Sequence, residues 1–219
     1  MQTVLIDHGA GNLHSVEKAL VAAGLACTRS ADPALAADAD ALVLPGQGHF
    51  GQVMRSFEAS GFEGVVRAHL AAGRPFLGIC VGLQLLSSGS EEAPGVPGLG
   101  LIPATVRRLK ADGVSVPQMG WNRLTLVGRS PLLDDVPDGA YVYFANSYVV
   151  EFADAHGLVG AETRYGGSRF LSAVSIGALH ATQFHPEKSQ TVGLQVLRNF
   201  GRAAHAHLAS AAAPAEGAS

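Results

Sequence analysis

Short runs of apolar residues, each cut off by glycine or proline, alternate with longer stretches in which apolar positions return every three or four residues. Thr3-Val4-Leu5-Ile6-Asp7 is one such run, ended by Gly9, Gly11 and Asn12, and it reads as a buried strand feeding a turn. Leu13, Val16 and Leu20 then recur at helical spacing around Glu17 and Lys18, and Gly24 supplies a stop, so the first unit predicted is strand then helix. The cycle repeats. Ala41-Leu42-Val43-Leu44 runs into Pro45-Gly46, Val53 to Leu70 has helical spacing broken near Ser60-Gly61, and Pro75-Phe76-Leu77-Gly78-Ile79 is a third buried run. Strands apolar on both faces, separated by amphipathic helices, predict a mostly parallel sheet covered by helices. In such sheets ligands bind beyond the carboxyl ends of the strands.

After Gly89 the texture changes. Pro94, Pro97 and Pro103 interleave with glycines, and Val106 to Val127 reads as shorter, alternating, antiparallel strands. Tyr141 to Phe144, Phe170 to Ile176 and Leu179 to Phe184 are further strand candidates, and Gln190 to Ala203 predicts a closing helix with Val192, Val196 and Phe200 on one face. The alanine-rich segment from Leu208 is expected to be a frayed tail, which leaves one domain over residues 1–207. The fold class predicted is α/β, with a mostly parallel central sheet flanked by helices and additional antiparallel strands in the C-terminal half.

With 219 residues, one core is the expectation. The 15% of charged residues and formal charge of −3 leave no broad basic footprint for nucleic acid, which points to a small substrate or a protein partner. No apolar run approaches the ~18 residues of a membrane span, and Met1-Gln2-Thr3-Val4 has no basic segment ahead of an apolar one, so a cytoplasmic location is expected. Cys27 and Cys80 read as separate thiols, neither set in a metal-type cluster; neither metal nor cofactor is expected.

Candidate chemistry centres on Gly78-Ile79-Cys80-Val81-Gly82, placed between a strand run and a helix beginning near Leu83. An elbow of this kind sets a nucleophile on a tight turn, where flanking glycines avoid clashes and the following amide faces a developing oxyanion. An inert buried cysteine beside a turn fits the same local pattern. A nucleophilic cysteine needs a base and an orienting group, and Gln183-Phe184-His185-Pro186-Glu187 offers both at the end of a strand. Among the other histidines, His69, His156, His205 and His207 read as surface residues, and His180 as a strand residue facing either way. Gly46, Gly48 and Gly51 spell G-x-G-x-x-G, but the run follows Pro45 and not the first strand, so a dinucleotide site is disfavoured. A glycine-rich strand end can instead offer backbone amides to an oxyanion.

Taken together, these segments resemble the class I triad glutamine amidotransferases, with Gly78-Ile79-Cys80-Val81-Gly82-Leu83-Gln84 as nucleophile motif and His185-Pro186-Glu187 as base motif. Gly11-Asn12-Leu13-His14-Ser15-Val16, Pro45-Gly46-Gln47-Gly48, Pro117-Gln118-Met119-Gly120-Trp121-Asn122 and Ala181 to Ser189 look like the glutaminase subunit of imidazole glycerol phosphate synthase. The resemblance implies Cys80 as nucleophile, His185 as general base then acid, and Glu187 as its orienting carboxylate. It implies an oxyanion hole from the Val81 amide and a strand Gly46-Gln47-Gly48, with Gln84, Glu92 and the backbone around Ser147-Tyr148 holding the amino-acid end of glutamine. It further implies a heterodimer with a (βα)8-barrel cyclase of histidine biosynthesis, activation by that liganded partner, and Asn12, Trp121, Asn122, Tyr143 and Lys188 as interface or signalling residues. Plain packing is the other reading of Trp121. Three positions depart from the family: His8 stands in place of a Tyr, Gln47 in place of a Val, and Asn146 in place of a His. The competing functions are a glutaminase of another pathway and a regulatory subunit without catalysis.

Overall fold

A computed structural model describes residues 1–151 and 159–212. β1 (Thr3–Ile6), α1 (Leu13–Ala22), β2 (Cys27–Ser30), α2 (Pro33–Ala37), β3 (Ala41–Gly46), α3 (Phe50–Ala59), α4 (Phe62–Ala71), β4 (Phe76–Cys80) and α5 (Val81–Leu85) follow in order. The C-terminal half contributes β5 (Thr105–Arg108), β6 (Gln118–Arg123), β7 (Thr125–Val127), β8 (Tyr141–Asn146), β9 (Tyr148–Glu151), β10 (Val159–Tyr165), β11 (Ser168–Ile176), β12 (Leu179–Thr182) and α6 (Gln190–Ala212). Eight strands form one sheet in the order β2-β1-β3-β4-β12-β11-β10-β7. The first five are parallel and the last three antiparallel, as the change of texture after Gly89 predicts. Two antiparallel ribbons, β5-β9 and β6-β8, stand apart from it.

The parallel strands are buried along their whole length because both faces are covered: every residue of β1, β3, β4 and β12 is buried. Strand β2 differs. Its sequence Cys27-Thr28-Arg29-Ser30 has no apolar run, because it closes the sheet edge and faces water. The helical stretch broken at Ser60-Gly61 becomes α3 and α4, joined where Gly61 takes φ +76°. Helix α6 continues past Ala203 to Ala212, so the start of the segment expected to fray is helical, while residues 213–219 lie outside the described ones.

What matters for function is the middle of the sheet. Strands β3, β4 and β12 are neighbours, and Gly46 lies beside Cys80 at the ends of the first two. Thr182, at the end of the third, lies beside Ile79. Three segments distant in sequence therefore emerge side by side at one edge of the core.

Candidate active site

Cys80 is the last residue of β4 and the cap of α5, with φ +55° and ψ −108°, a backbone conformation that side chains other than glycine rarely adopt. The flanking glycines make this possible. A Cβ on Gly82 would collide with the Leu44 carbonyl of β3, and one on Gly78 would sit 3.0 Å from the Gly82 carbonyl oxygen. A Cβ on Gly46 would come within 2.8 Å of the Gly82 nitrogen. The elbow is thus pressed against β3 with no space for side chains. Gly51 has the same kind of reason, since a Cβ there would lie 2.8 Å from that of Ala93. Close packing accounts for Gly46 and Gly51 of the nucleotide-like fingerprint, and a positive φ for Gly48.

Past β12 the chain bends at Gln183 and Phe184 before the turn that carries the base motif. His185 lies on the Cys80 side, while Phe184 turns to the core and meets Phe144 edge to face with ring centroids 6.1 Å apart. Pro186 opens a single 3-10 turn, Pro186–Lys188, which brings Glu187 back towards the imidazole. Nδ1 of His185 donates to Oε1 of Glu187 at 2.7 Å, and both side chains are almost wholly buried. The other oxygen, Oε2, is buried with no hydrogen-bond partner among the described residues, and the ion pair the carboxylate makes there is with His185. Burial alone pushes His185 towards its neutral form; the adjoining Cys80 sulfur, hydrogen-bonded to the ring, and then Glu187 outweigh it and raise its pKa to about 10.

Beside this cluster is a cavity of about 320 Å³, lined by Cys80 and Val81 together with Gln47, Gly48, Gln84, Glu92, Asn146, Ser147 and Tyr148 among others. Residues expected at the oxyanion and at the amino-acid end of a glutamine thus share one cleft. Gly46 does not line it, but supports it from β3 against the Gly82 amide. The expected strand Gly46-Gln47-Gly48 needs correction: β3 stops at Gly46, and Gln47 and Gly48 form a loop in which Gly48 takes φ +111°. Glycine gives the turn into α3 that positive φ without a side-chain clash. Glu92 has one oxygen committed, since Oε2 accepts from the Phe50 amide at the start of α3 at 2.7 Å.

A sequence model of the family described as Glutamine amidotransferase class-I matches residues 4–204. The imidazole glycerol phosphate synthase subunit HisH of Deinococcus radiodurans is 54% identical over 202 residues, 92% of this chain and 93% of that one. Its counterpart of the same name in Thermus thermophilus is 52% identical over 198 residues, covering 90% and 95%. The chain belongs to the class-I glutamine amidotransferases, among the HisH subunits of imidazole glycerol phosphate synthase. Solved structures repeat the fold: the glutaminase domain of Trypanosoma brucei CTPS, with acivicin bound, has TM-score 0.67 at 18% identity, covering 94% of this chain and 94% of its own.

In this amidotransferase, three of the residues singled out as interface candidates meet on the surface. Trp121 and Tyr143 are opposed across the β6-β8 ribbon with ring centroids 6.1 Å apart, and the Lys188 ammonium lies over the Tyr143 ring at 5.8 Å. Trp121 is 45% exposed, so packing does not explain it, and Met119 on the same strand is 69% exposed. Asn122, one residue on, is directed elsewhere: its Nδ2 donates to the Arg164 carbonyl at 3.0 Å. Asn12 caps α1 by accepting from the Ser15 amide at 3.4 Å, and its neighbour Gly11 lies against Gly46.

The departures from the family also have places. His8 is buried and its Nε2 donates to the Pro45 carbonyl at 2.8 Å, tying the end of β1 to the segment before Gly46. Asn146 lines the cavity and donates to the Tyr148 carbonyl at 3.2 Å. One expectation is overturned: His69 is buried, not on the surface, because its Nε2 donates to the Pro75 carbonyl at 2.9 Å inside the α4 to β4 connection. His156 lies outside the described residues. Sequence reasoning also passed over Gln183, which is wholly buried beside the sulfur; its polarity at a strand end inside an apolar run was the available signal.

Proposed function

We propose that Cys80, His185 and Glu187 hydrolyse glutamine and that the ammonia released passes to a (βα)8-barrel cyclase, which makes imidazole glycerol phosphate and aminoimidazole carboxamide ribotide in histidine biosynthesis. The observation that supports this reading most is the Cys80 sulfur set against a buried His185 that Glu187 holds at 2.7 Å. Cys80 as thiolate attacks the carboxamide carbon, and the amide N–H groups of Val81 and the Gln47-Gly48 loop face the oxyanion that forms. His185 is protonated at neutral pH and hands its proton to the departing ammonia.

Acylation then changes the base. Once the sulfur is bound in a thioester its negative charge is gone, and with it the largest influence raising the His185 pKa. The imidazole falls back towards neutrality and can draw a proton from the water that attacks the thioester. The same pair thus serves as acid first and base second.

Gln84, Glu92 and the backbone at Ser147-Tyr148 hold the amino-acid end of the substrate, all on the cavity wall. Asn12, Trp121, Tyr143 and Lys188 contact the cyclase, with Asn122 bracing the ribbon from its other side. Ammonia free in water would be largely protonated and no nucleophile, which is why the acceptor must be docked. The heterodimer is cytoplasmic in this reading, and no described helix is long and apolar enough to cross a membrane.

Glutamate release by this chain alone, with a barrel cyclase, and with cyclase plus its nucleotide ligand tests the proposal, each repeated with Cys80→Ala. Activation by the liganded cyclase that is lost in Cys80→Ala is expected. Turnover indifferent to the cyclase would assign the enzyme to another pathway, and absence of Cys80-dependent turnover would favour a regulatory subunit.

A further inference from the structure

Cys80 has a second buried neighbour besides His185. The parallel register of β12 and β4 ends with Thr182 beside Ile79, and the next residue, Gln183, places its side chain against Cys80, 103 residues away in sequence. The Gln183 backbone is held from the opposite side, its amide donating to the Ser172 carbonyl at 2.8 Å. Its side chain is wholly buried and reaches the sulfur, with Nε2 donating to Sγ at 3.7 Å. On its far side Oε1 accepts from Nε2 of Gln84 at 3.2 Å, and the same Gln84 nitrogen donates to the Tyr148 carbonyl at 2.9 Å.

The directions of these bonds follow from one fixed point. A backbone carbonyl can only accept, so the group Gln84 turns to Tyr148 is its NH₂. That NH₂ then requires the oxygen of Gln183, and Gln183 is left with its own NH₂ directed at the sulfur. No member can flip without stranding two buried polar groups, at a cost well above that of a surface bond. Gln84 lines the cavity from the end of this chain with its own amide orientation already set.

From this relay we infer that Gln183 is a positioning residue for both halves of the reaction, giving an N–H to the Cys80 sulfur while orienting Gln84 towards the substrate. An N–H aimed at sulfur favours thiolate over thiol, and loses part of its hold when the sulfur becomes a neutral thioester. The amide therefore supports the attacking state more than the acylated one. The inference rests on Cys80 being the nucleophile.

Two readouts separate this role from a structural one: the pH profile of Cys80 alkylation by iodoacetamide, followed at that residue by mass spectrometry so that Cys27 does not intrude, and kcat and KM for glutamine with the liganded cyclase. Gln183→Met, of similar length but apolar, should move the alkylation midpoint up by about one pH unit and raise KM roughly tenfold. Gln84→Met should raise KM and move the midpoint in the same direction but by less, since it keeps the N–H donor to the sulfur and removes only the group that orients it. Should Gln183→Met fold poorly, Gln183→Ala leaves space instead of filling it and gives the same two readings. A midpoint unchanged in the folded Gln183 variant overturns the inference even if turnover falls. Wild-type turnover that survives Cys80→Ala would overturn the catalytic reading itself, a result that no Gln183 measurement can mimic.

Discussion

Glu187 holds His185 from only two residues further along the chain, at 2.7 Å, because Pro186 starts a tight turn between them. Base and orienting group are thus one local unit, and only the nucleophile comes from elsewhere. Replacing Glu187 by Gln keeps the shape and removes the charge. The His185 pKa should then fall from about 10, and kcat should drop by roughly 10²–10⁴-fold. Titration of the His185 ring protons by NMR checks the first effect, and an unchanged midpoint would sink the assignment of Glu187.

The same raised pKa has a stability consequence. A histidine that binds its proton more tightly in the folded state stabilises the fold fully below its ordinary value of 6.5, and that contribution fades as pH rises through about 10. Urea midpoints should therefore decline between pH 7 and 10, and the decline should flatten in Cys80→Ala, which lacks the largest raising influence.

His69 and His180 act in the opposite direction. Burial pushes both to about 4, so the neutral rings stabilise the fold above pH 6.5 and lose that contribution as pH falls through about 4. Each should cost on the order of 3 kcal/mol by pH 4. Denaturant titrations at pH 7, 5 and 4 should show a steep acid loss that His69→Gln reduces.

Two glycine substitutions should move stability in opposite directions. Gly82→Ala drives a methyl into the Leu44 carbonyl and should cost at least about 2 kcal/mol, measured as a lowered Tm. Gly64 is exposed within α4 with nothing within 4 Å of a new Cβ, and Gly64→Ala should stabilise by about 0.5–1 kcal/mol.

Trp121 is the test of the docking face. Trp121→Ala should leave Tm almost unchanged, because the ring is 45% exposed, while weakening the cyclase complex by about 2 kcal/mol, near 30-fold in Kd. Calorimetric titration with the cyclase would show it, and unchanged affinity would move the interface elsewhere.

Strands buried on both faces announce themselves in sequence as apolar runs, so β1, β3 and β4 were legible, as were the elbow glycines and the turn carrying His185 and Glu187. Strand β12 was legible only as part of the longer stretch Leu179 to Phe184, since His180 and Thr182 interrupt it. Edge strand β2 was not, because a strand facing water needs no apolar run. His69 misled for a related reason: a polar residue held inside by one backbone carbonyl leaves the same trace in sequence as one that faces water. Gln183 stood in plain view inside the base motif. Its partner Gln84 is 99 residues away, and no local pattern could report that the two amides meet.

Between β4 and β12 the chain departs for about a hundred residues, builds both ribbons and the antiparallel wing, and returns to the strand position next to the one it left. Because departure and return are adjacent, the excursion can lengthen, shorten or change its outer face while Cys80 and His185 stay where they are. The residues of the Trp121 stack on β6 and β8 belong to that excursion. Choice of partner can thus drift on the outer face of that excursion while Cys80 and His185, at the ends of adjacent core strands, are inherited in place. Gln84, Glu92 and Tyr148, carried on the same excursion, confine the drift to what the cavity tolerates.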